Sequence, residues 1–198
     1  IEWNLDSGFL PDGMSLQIAH SPRAGGTSAN DKGVGGDAGG IGAGWDFVAQ
    51  HAGIVDGLNL FGGYSTIDQA VDAGAGYTGE RSQIAFGATY AIGAVSVGYQ
   101  YSKDDRATAA GTNYYANDAF GVSFNVNDDL AISVGVHQSE RNHTNGTTTS
   151  NDATSLQASY SVGGASIKVA RTDVDNASYS TAVANDKDGY TIALTLAF

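Results

Sequence analysis

The C-terminal stretch of the chain, residues 190–198, alternates strictly between large apolar residues and small or polar ones. The large residues are Tyr190, Ile192, Leu194, Leu196 and Phe198. A period of two predicts a β-strand with two unlike faces. The second face, which carries only Thr and Ala, bears no charge. Such a strand is typical of a wall between lipid and a water-filled interior.

The same period recurs along the chain and predicts eleven strands. The predicted strands are 1–6, 14–21, 41–50, 58–67, 83–92, 95–101, 120–126, 130–137, 156–162, 165–170 and 190–198. The uncharged stretch 82–102 is long enough to suggest a transmembrane helix instead. Its apolar residues alternate on both sides of Gly93, however, and this favours two strands.

The connections between these strands alternate between short and long. The short ones are 7–13, 51–57, 93–94, 127–129 and 163–164, and the long ones are 22–40, 68–80, 104–117, 142–153 and 174–188. The long connections are rich in Gly, Asn, Asp, Ser and Thr, which is turn and loop chemistry. Short turns at one end and long loops at the other are typical of outer-membrane barrels. The pattern therefore predicts an all-β, antiparallel up-and-down transmembrane β-barrel, with residues 1–198 in a single domain.

The charge and the termini narrow the interpretation further. The chain has 21 Asp and Glu against nine Lys and Arg, a net charge of −12, which argues against nucleic acid as a partner. No signal peptide precedes the first alternating residues, so it was removed or the start of the protein is missing. Bacterial single-chain barrels have an even number of strands. An odd count of eleven leads us to expect that one or more N-terminal strands are missing.

No group of residues predicts a catalytic centre. The four histidines, His20, His51, His137 and His143, are scattered and lack the spacing of a metal motif, and the chain has no cysteine. The glycine-rich stretch 33–38 matches a dinucleotide fingerprint only loosely, since it follows no apolar strand and opens no helix, and we interpret it as a loop. We therefore predict no enzymatic activity, no bound metal and no cofactor.

The alternating strands, the long acidic connections and the terminal strand ending in Phe198 resemble the Gram-negative general diffusion porins, and most of all those of the alphaproteobacterial type. The resemblance implies a 16-stranded barrel in the outer membrane, of which this chain would form strands 6 to 16. It also implies a homotrimer, and recognition of Phe198 by the barrel assembly machinery. The inward-folded third loop of such porins would lie in the part that precedes this chain.

Strand parity assigns several side chains to the outside of the barrel. Leu194, Leu196 and Phe198 are predicted to face lipid. Lys103 and Arg171 lie near long connections and point outward, where they could contact lipopolysaccharide phosphates or extend to the membrane interface.

Other charged or titratable residues fall on the inward parity. Asp46 and Lys168 lie near the middle of their predicted strands, and Arg81, Arg141 and His137 share their orientation. All five are predicted to line the pore. A charge in the wall of a narrow pore tunes ion selectivity, whereas a well-solvated side chain has little effect.

These features favour a passive, water-filled channel for small hydrophilic solutes and ions. A substrate-specific channel would need a ladder of aromatic or like-charged residues inside, where Phe61 and Val48 are the only large apolar residues found. Two other classes stay open. One is a surface adhesin or receptor that acts through the external loops, which could also bind phage. The other is a soluble secreted adhesin that buries its apolar face between two sheets.

Overall fold

The computed structural model describes residues 1–22, 41–69 and 76–196. The glycine-rich stretch 33–38 and the terminal Phe198 lie outside these residues. Across the described residues, no helix is long and apolar enough to cross a membrane.

The described residues form eleven antiparallel strands in a single sheet, each paired with the next along the chain. The strands are β1 (Glu2–Asn4), β2 (Met14–Ser21), β3 (Ile41–Ala52), β4 (Leu58–Gln69), β5 (Arg81–Ile92), β6 (Val95–Asp105), β7 (Thr112–Asn125), β8 (Leu130–His143), β9 (Thr148–Val162), β10 (Ala165–Asp175) and β11 (Lys187–Leu196). The predicted all-β, up-and-down meander of eleven strands is confirmed.

The stretch 82–102 is the β5–β6 hairpin and not a helix. Its two-residue turn contains Gly93 at φ 57°, a left-handed conformation that glycine adopts readily and that tight hairpins require. The turn sets a register in which Ile92 opposes Val95 and Gln83 opposes Asp104.

From β4 onward the strands run further toward the long-connection end than predicted, whereas β1 spans only Glu2–Asn4 instead of the predicted 1–6. The expected connections 104–117 and 142–153 were too long: β7 already begins at Thr112 and β9 at Thr148. In these extensions the two faces carry similar residues, as where Glu140 pairs with Ser150 in β8 and β9 and where Tyr114 and Tyr115 follow each other in β7. The hydrophobic alternation therefore stops while the strand pairing continues. Hydrophobic periodicity reports one-sided burial and therefore misses such segments.

The two faces of the sheet differ in the way the terminal strand predicts. We call the face with Ile192 and Leu194 the apolar face, and the face with Thr191 and Thr195 the polar face. Val169 and Ile167 oppose Ile192 and Leu194, and the same order continues across the other strands.

The apolar side chains form no interior core. Among the described residues, Ile67 is the only buried hydrophobic residue, whereas Ile192 is 73% and Leu194 is 66% exposed. No second sheet in the described residues covers this face. A continuous exposed apolar surface of this kind marks contact with another apolar medium or partner.

Candidate functional site

The polar face is lined mainly by small residues. One lateral row runs directly across five strands and consists of Thr89, Gly98, Gly121, Gly135 and Ser155. Next to it, the ring of Phe61 lies against Gly87, where a Cβ atom would come within 2.5 Å of the ring. Because these side chains are small, they project little from the sheet and leave the space in front of the polar face open.

A second lateral row contains two of the predicted site residues, Asp46 and Arg141, at its two ends. From β3 to β8 it contains Asp46, Ser65, Gln83, Asp104, Tyr115 and Arg141 as successive partners. Because neighbouring strands are about 4.8 Å apart, Asp104 is separated from Arg141 by about 10 Å and from Asp46 by about 14 Å along this row. Asp46 lies near the middle of β3, as predicted.

Lys168 lies on the polar face but apart from this row. It pairs with Ser159 and Ala193, and it has no carboxylate partner among the described residues. Since β10 extends to Asp175, Lys168 lies nearer the short-turn end of the strand than the predicted mid-strand position. His137, also on the polar face, lies between Ala119 and Ala153. The pore-lining roles of Asp46, Lys168 and His137 stay predictions, as do those of Arg81 and Arg141.

Arg81 points to the polar face, but its charge is compensated. Its guanidinium donates two hydrogen bonds to Asp104, from Nε to Oδ1 at 2.8 Å and from Nη2 to Oδ2 at 2.6 Å. Gln83 donates a third hydrogen bond to the same carboxylate, at 3.3 Å. The side chains of the pair are only 15% and 22% exposed. The wall at this point therefore presents a neutral pair and not an isolated cation.

We expect this pair to contribute more to stability than the exposed pair of Lys103 and Asp105. A two-pronged, charge-assisted contact with little solvent screening should show a coupling energy of about 1–3 kcal/mol. The Lys103–Asp105 pair, at 3.3 Å and 35% and 40% exposed, should give about 0.2–1 kcal/mol. Double-mutant cycles of unfolding in lipid vesicles measure the two coupling energies. One cycle combines Arg81→Gln with Asp104→Asn, and the other combines Lys103→Gln with Asp105→Asn. Equal coupling energies would contradict the expectation.

Arg141 also points to the polar face, where a tyrosine from the connection between β10 and β11 covers it. Its Nη2 donates a hydrogen bond to the carbonyl oxygen of Tyr179 at 3.3 Å, and its guanidinium lies 4.9 Å from the centre of the Tyr179 ring. Ser139, 4% exposed, lies beneath the same tyrosine, with 2.6 Å between the two hydroxyl oxygens. The ring of Tyr115 lies 5.5 Å from that of Tyr179.

The backbone around Tyr179 is strained. Ser178 and Tyr179 have φ values of 62° and 59°, and Asn176 has 54°. This left-handed conformation costs about 1–2 kcal/mol for an L-residue other than Asn or Gly. The contacts of Tyr179 with the wall offset that cost. Sequence reasoning missed Tyr179, whose only signal was a lone large aromatic residue in a connection of small and polar residues.

The two outward cations have the same surroundings. Each has a carboxylate two residues further along its own strand and a tyrosine ring on the next strand. The two groups are Lys103, Asp105 and Tyr114, and Arg171, Asp173 and Tyr190. A lipopolysaccharide phosphate would compete with a carboxylate already in place.

The two described lipid-facing candidates lie on the apolar face of β11, where Leu194 pairs with Ile167 and Leu196 with Ala165. Within residues 1–22, 41–69 and 76–196, no group of acidic or histidine side chains is arranged to hold a metal ion. The absence of catalysis stays a prediction.

A single up-and-down sheet with an exposed apolar band defines the fold of the outer-membrane β-barrels. Among solved structures, the chain is similar to OmpF of Salmonella typhi, in a complex with daunomycin, with a TM-score of 0.74 and 16% identity over 98% of this chain. It is also similar to OmpT, an outer membrane protein of Vibrio cholerae, with a TM-score of 0.66 and 12% identity over 98% of this chain.

At these identities the likeness shows the fold. The chain spans 60% of the length of the OmpF chain and 62% of that of OmpT. No family model matches the sequence, and no curated protein matches it. The count of 16 strands and the alphaproteobacterial type stay predictions.

Proposed function

We propose that the protein is an outer-membrane porin, a passive, water-filled channel for small hydrophilic solutes and ions. The observation that carries the proposal is the distribution of side chains over the single sheet. Large apolar residues cover one face and stay exposed, while Ile67 is the one buried hydrophobic residue among those described. Lipid is the medium that suits such a face, and a membrane-spanning sheet must in addition pair its edges to close into a barrel.

The polar face supports a wet and weakly selective interior. Its lateral rows consist mainly of Gly, Ala, Ser, Thr, Asn and Gln, with a few charges and the larger Phe61, Ile67 and Tyr115. Arg81 and Asp104 compensate each other. We assign ion selectivity to Asp46 and Lys168 because both lie on the polar face, and His137 and Arg141 are further residues of that face. A channel of this kind would lie in the bacterial outer membrane, which we therefore propose as the location of the protein.

The proposed partners follow from the same location. Outer-membrane lipid covers Leu194 and Leu196, and lipopolysaccharide meets Lys103 and Arg171 at the outer rim. A homotrimer, recognition of Phe198 by the barrel assembly machinery and phage contact with the external loops rest on the resemblance to porins. No nucleic acid and no cofactor take part.

Conductance of the full-length protein in a planar lipid bilayer tests the channel. We expect stepwise, ohmic conductance that rises with salt concentration, and swelling of liposomes in small sugars. Protein that is folded in the bilayer and gives no conductance would overturn the proposal and favour adhesion through the external loops.

We expect the long connections to be extracellular and the short turns periplasmic. The chain has no cysteine, so single-cysteine variants report one position each. A membrane-impermeant thiol reagent added to intact cells should label Asn145→Cys, in the β8–β9 connection, and not Asp128→Cys, in the β7–β8 turn. Permeabilised cells, in which both variants should react, provide the control. Labelling of Asp128→Cys on intact cells would refute this orientation.

A further inference from the structure

The connection between β10 and β11, residues 176–186, does not stay at the rim above the strands that it joins. Tyr179 passes in front of β9 and reaches Ser139 and Arg141 on β8 and Tyr115 on β7. From β10 to β7 is three strand spacings, or about 14 Å. The connection therefore crosses the polar face sideways.

The same connection also lies below the end of β8, which extends beyond the strands that the connection joins. Asp175, the last residue of β10, is level with Gln138 of β8 through Asp152. Ser139 lies four residues inside the end of β8 at His143. At about 3.3 Å per residue, this corresponds to about 13 Å of strand. Ser139 is in turn hydrogen-bonded to Asn117 of β7, whose side-chain amide donates to Ser102 of β6. The hydrogen bonds that hold Tyr179 therefore extend over three neighbouring strands.

The connection is held together by its own hydrogen bonds. The backbone amide of Asn176 donates to Asp186 Oδ1 at 2.9 Å and closes the base. The side-chain amide of Asn185 donates to Ser180 Oγ at 2.7 Å. Because these hydrogen bonds prevent the segment from extending into solvent, it stays in front of the polar face.

We infer that residues 176–186 form a constriction of the channel and that Tyr179 is the residue that sets its position. The inference rests on the proposed channel function. Anchored Tyr179 narrows the lumen beside β7 to β9, which limits the size of the solutes that pass. It also covers Arg141, so the cation at this point is shielded from passing ions. Releasing Tyr179 should therefore have two effects, a wider pore and a more exposed positive charge.

Tyr179→Ala in the full-length protein tests both effects. We expect a higher single-channel conductance, a larger gain in liposome swelling with bulky sugars than with small ones, and a reversal potential shifted toward anions. Tyr179→Phe keeps the ring over Arg141 but loses the contact with Ser139, so it should give an intermediate conductance without the shift toward anions. Ile54→Ala, at a 59% exposed position in the β3–β4 connection and outside the constriction, should behave as the wild type. Wild-type values for Tyr179→Ala would overturn the inference.

A structural readout separates this inference from the channel proposal. In the cysteine-free chain, Ser139→Cys and Tyr179→Cys should be bridged by a short bifunctional thiol reagent, as read by peptide mapping, whereas Ser139→Cys with Asp128→Cys should not. Absence of the bridge in folded protein would overturn the inference even if Tyr179→Ala fails to fold. If the bridge forms but the wild type does not conduct, the channel proposal fails while the position of the connection stands.

Discussion

Replacement of Leu194 by Arg is expected to lower the free energy of unfolding in lipid by about 2–4 kcal/mol. Leu194 lies on the apolar face of β11, opposite Ile167, in the middle of the alternating stretch 190–198. An arginine there must bring its guanidinium into hydrocarbon or bend its side chain toward the interface, and both are unfavourable. Denaturant unfolding from lipid vesicles, followed by tryptophan fluorescence, measures the change.

Thr195→Arg is the matched control for this substitution. Thr195 is the next residue, pairs with Ser166 and lies on the polar face. The same side chain, placed at almost the same depth, would there extend into water and cost much less. Similar losses at the two positions would show that the apolar face does not meet lipid, and the barrel orientation would be wrong.

The strands of the apolar band could be predicted from the sequence because burial there is one-sided. Each residue of a strand such as β11 faces either an apolar or a polar environment, so the polarity of its side chain indicates on which face it lies. Where β7 and β9 continue beyond the apolar residues, the two faces carry similar residues and the alternation is lost, although the strands stay paired with β8. The extent of the connections was therefore overestimated for a physical reason.

Some contacts of the candidate site could likewise be predicted from the sequence, and others could not. The neighbourhood of Arg81 and Asp104 was within reach of sequence reasoning, since the tight turn at 93–94 sets the register of β5 against β6. The pairing of Arg171 with Asp173 was also within reach, because residues two apart on a strand share a face. Tyr179 was not, because its contacts on β7 and β8 depend on how a loop folds across a third strand. Local periodicity carries no information about such a contact.

Lys168→Glu is expected to shift the reversal potential of the full-length channel toward cations. Lys168 lies on the polar face between Ser159 and Ala193, with no carboxylate partner among the described residues. Its replacement reverses a charge on the polar face, and in the proposed pore a charge acts more strongly than it does in bulk water. Asp46→Lys should shift the reversal potential the other way, toward anions.

Two controls decide whether the charges of Lys168 and Asp46 act on passing ions. They are the salt dependence of the reversal potential and a double substitution that leaves the net charge unchanged. Screening extends over about 30 Å at 0.01 M salt and about 3 Å at 1 M, so the shifts should be large in dilute salt and vanish in concentrated salt. Removing both charges of the compensated pair, with Arg81→Gln and Asp104→Asn, should leave the reversal potential unchanged, because the net charge of the wall is unaltered. If Lys168→Glu and Asp46→Lys have no effect even in dilute salt, both residues are merely solvated side chains, and selectivity depends on other parts of the wall.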